Sequence, residues 1–314
     1  MPKPTAEDVI GYFDSLSNWG RWGADDRLGT LNLITPERRK EAAALVQTGE
    51  VVSLSRNIDP KDPDPLKSGL GVVQRYMELG EVSHHVGKGI RFDGNSEYVG
   101  IVGHGSQTHL DGLAHYTWDG KNYNGFDAEE TTSVGGAGKL SIHHASDGII
   151  TRGLLLDIAG LHGVPWLDAS YPIMPEELAA AEERQGVTVR AGDALLVHTG
   201  HVARALHEGG REVGSPQPGL HAACLPYLRE RDIAVLGSDC IQDVQPSGFD
   251  TFDLFRPIHA VALVALGLWL IDNVELTELA RTCEERQRWE FFFTMLPWRF
   301  VGVTACATNP VAVF

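Results

Sequence analysis

Beyond Gly148 the chain alternates short apolar runs with amphipathic stretches, and this alternation limits the fold more than any other feature. Leu154-Leu155-Leu156-Asp157 reads as a buried strand, and Pro175 to Gln185 as a helix stopped by Gly186. Ala194 to His198 reads as a strand, Leu220 to Arg229 as a helix and Ile233 to Leu236 as a strand. Pro257 to Leu266 is a helix, Leu268 to Ile271 a strand and Leu276 to Arg286 a helix. Trp289 to Phe293 and Arg299 to Val303 are expected to form a closing hairpin. Strands separated by helices in this way predict an α/β fold.

The first half is less regular. Thr5 caps a helix that reaches about Leu16, with Val9, Ile10, Phe13 and Leu16 on its apolar face. A loop rich in Trp and Gly follows, through Trp19 and Trp22. Thr35 caps a second helix, with Pro36 at its first position and Gly49 at its stop. Val51 to Leu54 reads as a strand, residues 56–100 as loops with short β segments, and Tyr98 to Val102 as a strand. Nothing in the 314 residues resembles an inter-domain linker. The expectation is one domain over 1–314, with residues 1–50 as a helical extension packed on it.

Composition excludes several functions. A net charge of −16 makes nucleic acid and anionic membrane poor partners, because both need clustered Lys and Arg. The longest apolar run, Ala260 to Ile271, is too short to span a bilayer. The four cysteines form no CxxC pair, and the start has no apolar signal-peptide core, so the expected location is the cytoplasm. Neither GxGxxG, GxxxxGK[ST] nor GxSxG occurs, which removes the common nucleotide-binding and serine-hydrolase readings.

The histidines are unevenly spread: His104, His109 and His115 fall within twelve residues, with Asp111 between the last two. In an extended segment His109 and Asp111 share one face, because side chains alternate with period two. An imidazole and a carboxylate so placed can bind Zn²⁺ or Mn²⁺ and leave positions open for water. His115 is then placed as a general acid or base. His104 is expected to face the other way.

The phrase Gly105-Ser106-Gln107-Thr108-His109-Leu110-Asp111-Gly112-Leu113-Ala114-His115 resembles HxGTHxDxPxH, the metal-binding phrase of the bacterial cyclase family. That family includes kynurenine formamidase and isatin hydrolase. Trp22 to Asn32, Gly153 to Asp157, Gly192 to Gly200 and Gly237-Ser238-Asp239 are similar to further phrases of its longer branch, so the resemblance runs nearly the full chain. It implies a swivelling β/β/α fold, with a mostly antiparallel, barrel-like sheet flanked by helices. It also implies hydrolysis of a small amide, lactam or formamide, one divalent ion (zinc or manganese), a small-molecule substrate and a homodimer or homotetramer. The implied ligands are His109, Asp111, His259 and Asp272, with His115 catalytic.

Two positions depart from the pattern. The first histidine of the phrase falls on Gly105, with His104 and Gln107 as candidate substitutes, and Asp272 stands where the family has Glu. Trp22, His198 and Asp239 are further candidates for the pocket, as are His201 and Trp19. The same histidines would also suit a lyase, dehydratase or cyclase. The two departures keep open a metal-free protein that only binds small molecules.

Overall fold

A computed structural model describes residues 3–59, 74–78, 96–209 and 215–314. Nine strands form one sheet: β1 (Val51–Ser53), β2 (His109–Asp111), β3 (Ile149–Asp157), β4 (Ala194–His198), β5 (Val235–Ser238), β6 (Trp269–Asp272), β7 (Glu290–Met295), β8 (Ala305–Ala307) and β9 (Val311–Val313). Their order across the sheet is β1-β9-β7-β3-β4-β5-β6-β2-β8. The three pairings within β3-β4-β5-β6 are parallel and the other five are antiparallel. The sheet is thus mostly antiparallel and barrel-like in curl, as expected, around a parallel centre.

The parallel strands are apolar on both faces, as strands covered on both sides must be. Leu154, Leu155 and Leu156 of β3, Leu195 and Leu196 of β4, and Leu270 and Ile271 of β6 are fully buried. Helices Ala6–Ser15, Pro36–Ala43, Pro175–Gln185, Leu225–Arg231 and Thr277–Arg286 supply cover. Thr5 caps the first through a hydrogen bond from the Asp8 amide. The second ends at Ala43, well short of Gly49. The Trp-Gly loop and the turn Gly29–Leu33 after it are tied to the core: the Trp19 indole donates to the Val264 carbonyl and the Thr30 hydroxyl to the Ala234 carbonyl. No described helix is long and apolar enough to cross a membrane.

The closing hairpin does not form. Both edges of β7 are taken, one by β3 and the other by β9. Residues 299–301 therefore have no edge to join and are exposed. The strand expected at Tyr98 to Val102 lies at Ser96–Gly100 and pairs with Gln74–Glu78. Much of the 56–100 region lies outside the described residues.

Candidate metal centre

Short β2 sits between β6 and β8, and its register sets the site. His109 stands opposite Asp272 of β6, and Asp111 opposite Leu270. His109, Asp111 and Asp272 therefore project from one face, as the period-two reading of His109 and Asp111 requires. His259 arrives from the turn Pro257–Ala260, after which Val261–Leu266 runs as a π-helix. Such irregular turns are frequent at functional sites.

The four side chains converge. His259 Nε2 lies 3.3 Å from Asp272 Oδ2 and 3.6 Å from Asp111 Oδ2. His109 Nε2 lies 3.5 Å from Asp111 Oδ1 and 4.0 Å from Asp272 Oδ2. His115 Nε2 is 3.7 Å from Asp111 Oδ2. His109, Asp111, His259 and Asp272 are all at least 96% buried.

Two further contacts aim the imidazoles. His109 Nδ1 lies 2.8 Å from the Gln107 carbonyl, an acceptor only, so Nδ1 donates and Nε2 faces inward with its lone pair. His259 Nδ1 lies 2.5 Å from Asp243 Oδ2. The Asp243 carboxylate also accepts from the Ile258 and His259 amides. Gln242 donates to Asp272 Oδ1 at 3.0 Å, leaving Oδ2 toward the cluster. A carboxylate or carbonyl behind each histidine is the usual arrangement of a metal site.

The donor set suits a divalent ion. Asp111 Oδ2 is buried and has no hydrogen-bond partner among the described residues. An oxygen so placed requires a cation or a proton to offset its desolvation. Ligand atoms about 2.1 Å from a tetrahedral centre stand about 3.4 Å apart, close to the 3.3 Å and 3.6 Å from His259 Nε2 to Asp272 Oδ2 and Asp111 Oδ2, while His109 approaches the other Asp111 oxygen.

His104 is within the cluster, contrary to its expected orientation. Residues 101–108 are loop rather than strand, so period two does not apply there. Its Nδ1 lies 2.8 Å from Asp111 Oδ1 and its Nε2 2.9 Å from the Thr304 hydroxyl. Its ring stacks on His115 with centroids 3.8 Å apart. Gln107 instead turns away and donates to the Val102 carbonyl. Its Oε1 fills the space where a Cβ on Gly105 would be, 2.0 Å from that position. A histidine at 105 and this glutamine rotamer are therefore mutually exclusive.

The ionisation balance follows from burial and proximity. Burial opposes a charge on Asp111, yet His115, His109 and the hydrogen bond with His104 outweigh it and hold the carboxyl well below its usual range. Burial also works against charge on His259, but Asp272, Asp111 and Asp243 raise it well above the ordinary value. Burial pushes His115 down to about 4, with Asp111 pulling the other way. His115 is accordingly neutral near pH 7 and able to accept a proton.

Trp22, His198 and Asp239 lie elsewhere. The Trp22 ring carries the Arg21 guanidinium 4.7 Å from its centroid. His198 ends β4, where its Nδ1 lies 2.7 Å from Asp157 Oδ1 and its Nε2 3.9 Å from Asp239 Oδ2. Asp239 accepts from the amides of Thr199 and His201. Sequence reasoning missed Asp243, Gln242, Thr304, Asp157 and Tyr116, whose ring lies 5.4 Å from that of His259. Only Asp157, a charge closing an apolar strand, carried a visible signal.

Comparisons with known proteins bear on the family and the fold. A family model described as "Putative cyclase" matches residues 42–242. A crystal structure described as a novel cyclase superposes with a TM-score of 0.86 at 29% identity, covering 96% of this chain and 100% of that one. Isatin hydrolase A from Labrenzia aggregata, bound to benzyl benzoate, gives a TM-score of 0.56 at 17% identity, over 86% of this chain and 94% of that one. Isatin hydrolase A from Ralstonia solanacearum gives 0.55 at 19%, over 84% and 92%. These two likenesses are of fold. No curated protein matches.

Proposed function

The chain belongs to the cyclase family, and from that premise we propose that it is a metal-dependent hydrolase of a small amide, lactam or formamide. The observation that carries this reading is that Asp111 is shared by two ligand groups, with His259 and Asp272 at its unpartnered Oδ2 and with His109 and His104 at its Oδ1. The names of the isatin hydrolases with the same fold point the same way.

His109, Asp111, His259 and Asp272 would hold one divalent ion, zinc or manganese. Such an ion supplies Lewis acidity and lowers the pKa of water. The protein does the rest. Gln107 and Asp243 keep both Nε2 atoms turned inward. His115, neutral and beside Asp111, takes a proton from the attacking water and delivers it to the leaving nitrogen. His104 steadies Asp111 and stacks on His115, limiting the motion of both.

Reaction in ¹⁸O-labelled water tests the reaction type. Hydrolysis places one labelled oxygen in the carboxylate product, whereas a lyase, dehydratase or cyclase using the same histidines yields unlabelled product. Unlabelled product would overturn the reading.

A further inference from the structure

Beside the cluster lies a cleft of about 400 Å³, lined by Tyr116, Trp118, Phe252, Phe255 and Arg256 among others. That volume is in the range of small-ligand sites. It adjoins the cluster directly, because Tyr116 forms one wall and packs on the His259 ring, and Ala260, next to His259, forms another. A wider cavity of about 980 Å³, lined by Arg56, Ile101, Met295 and Trp298 among others, contains none of the cluster's side chains.

Arg256 is the cation of the smaller cleft, and the reaction described above gives it no role. Its Nε is buried and has no hydrogen-bond partner among the described residues. Tyr116 hydrogen-bonds the guanidinium from the cleft wall, and Asp272 and Asp243 also act on it electrostatically, but both carboxylates are engaged with His259. Around it are flat surfaces. Phe255 lies under the guanidinium at 5.7 Å and Phe252 is near-parallel to Phe255, with the Phe252 ring 88% exposed. An aromatic ring held that far into solvent, beside a catalytic cleft, gains from a partner that covers it.

We propose that Arg256 determines substrate specificity by binding the carboxylate of a flat, monoanionic amide, with Phe252 and Phe255 against the ring. The proposal rests on the hydrolase reading of the cluster and adds the substrate class. A guanidinium offers a planar fork that matches a carboxylate with two parallel hydrogen bonds. Two exposed acids, Asp119 and Asp253, also line the cleft. With Asp243 and Asp272 nearby, one guanidinium can offset a single negative charge but not the double charge of a phosphate.

Calorimetric titration of the metal-loaded protein with benzoate and with its neutral isostere nitrobenzene tests this without requiring turnover. The wild type is expected to bind benzoate at least about tenfold more tightly, and Arg256→Gln to weaken benzoate roughly 10- to 100-fold, the range for a hydrogen bond to a charged group. Arg256→Lys should fall between, since it keeps the charge and loses the fork. Equal binding of both probes by the wild type would overturn the proposal, whether or not the glutamine variant folds. Undiminished benzoate binding in Arg256→Gln would also overturn it, and would place the carboxylate on the metal. A benzoate preference carried by Arg256 in a protein that hydrolyses no amide would uphold the anion site and remove the hydrolase reading.

Discussion

Asp111 is surrounded by His104, His109, His115 and His259, and the task of each is set by its second nitrogen. His109 and His259 donate outward to the Gln107 carbonyl and to Asp243, and so turn Nε2 toward the cluster. His104 spends both nitrogens, on Asp111 and Thr304. His115 keeps its Nε2 3.7 Å from Asp111 Oδ2, beyond hydrogen-bond reach, which suits a group that must move a proton. Replacing His115 by Ala is expected to lower kcat by roughly 10²- to 10⁴-fold, the usual worth of general acid–base catalysis, while the bound metal stays. Paired kinetic and elemental analysis of the variant checks this, and unchanged turnover would discard the role. At this scale His109 and Asp111 were legible because two residues on one strand must share a face. The direction of His104 was not, because it depends on a loop. Asp243 was invisible because its partner is 16 positions away with no periodicity linking them.

Between elements, the ends of β3, β4 and β5 are joined by a second polar network through Asp157, His198 and Asp239. Burial opposes the charge on His198, but the hydrogen bond with Asp157 and the charge of Asp239 outweigh it and raise its pKa. Burial likewise opposes ionisation of Asp157, and His198 lowers its pKa in spite of that. A histidine raised in the folded state stabilises the fold fully below its unfolded value, near 6.5, and that contribution is lost as pH climbs through the folded value. Denaturant melts should therefore show stability falling above neutrality, with a smaller fall in His198→Asn. The variant should lose about 3 kcal/mol near pH 6, because it leaves Asp157 buried without its partner. An identical pH slope in both proteins would contradict this. The sequence located β4, β5 and β6 to within two residues because their apolar runs are uninterrupted, but it found only the last four residues of β3, whose first half carries Thr151, Arg152 and Gly153. It misplaced the end of the chain, because whether 299–301 can pair depends on which edges of β7 other strands already hold.

Across the whole molecule, the sheet brings together residues far apart in the chain: β2 from before residue 112, the His259 turn, and β6. The parallel centre β3-β4-β5-β6 ends in polar side chains, as the carboxyl ends of parallel strands commonly do at binding sites, and antiparallel β2 is laid against β6 so that His109 meets Asp272. The family match ends at residue 242, before His259 and Asp272, so the convergence itself is the strongest support for including those two. The sequence resemblance anticipated the architecture, since phrases spread along the chain match in order. It could not show how a glycine at 105 is accommodated, because that depends on the Gln107 side chain occupying the vacated space. The central claim is a single ion held by two imidazoles and two carboxylates. Calorimetric titration of chelator-stripped protein with Zn²⁺ and with Mn²⁺, in the wild type and in Asp111→Ala, tests it directly. The expected result is one tightly bound ion per chain in the wild type and at least about a hundredfold weaker binding in the variant, whereas no saturable binding, or equal binding by both proteins, would contradict it.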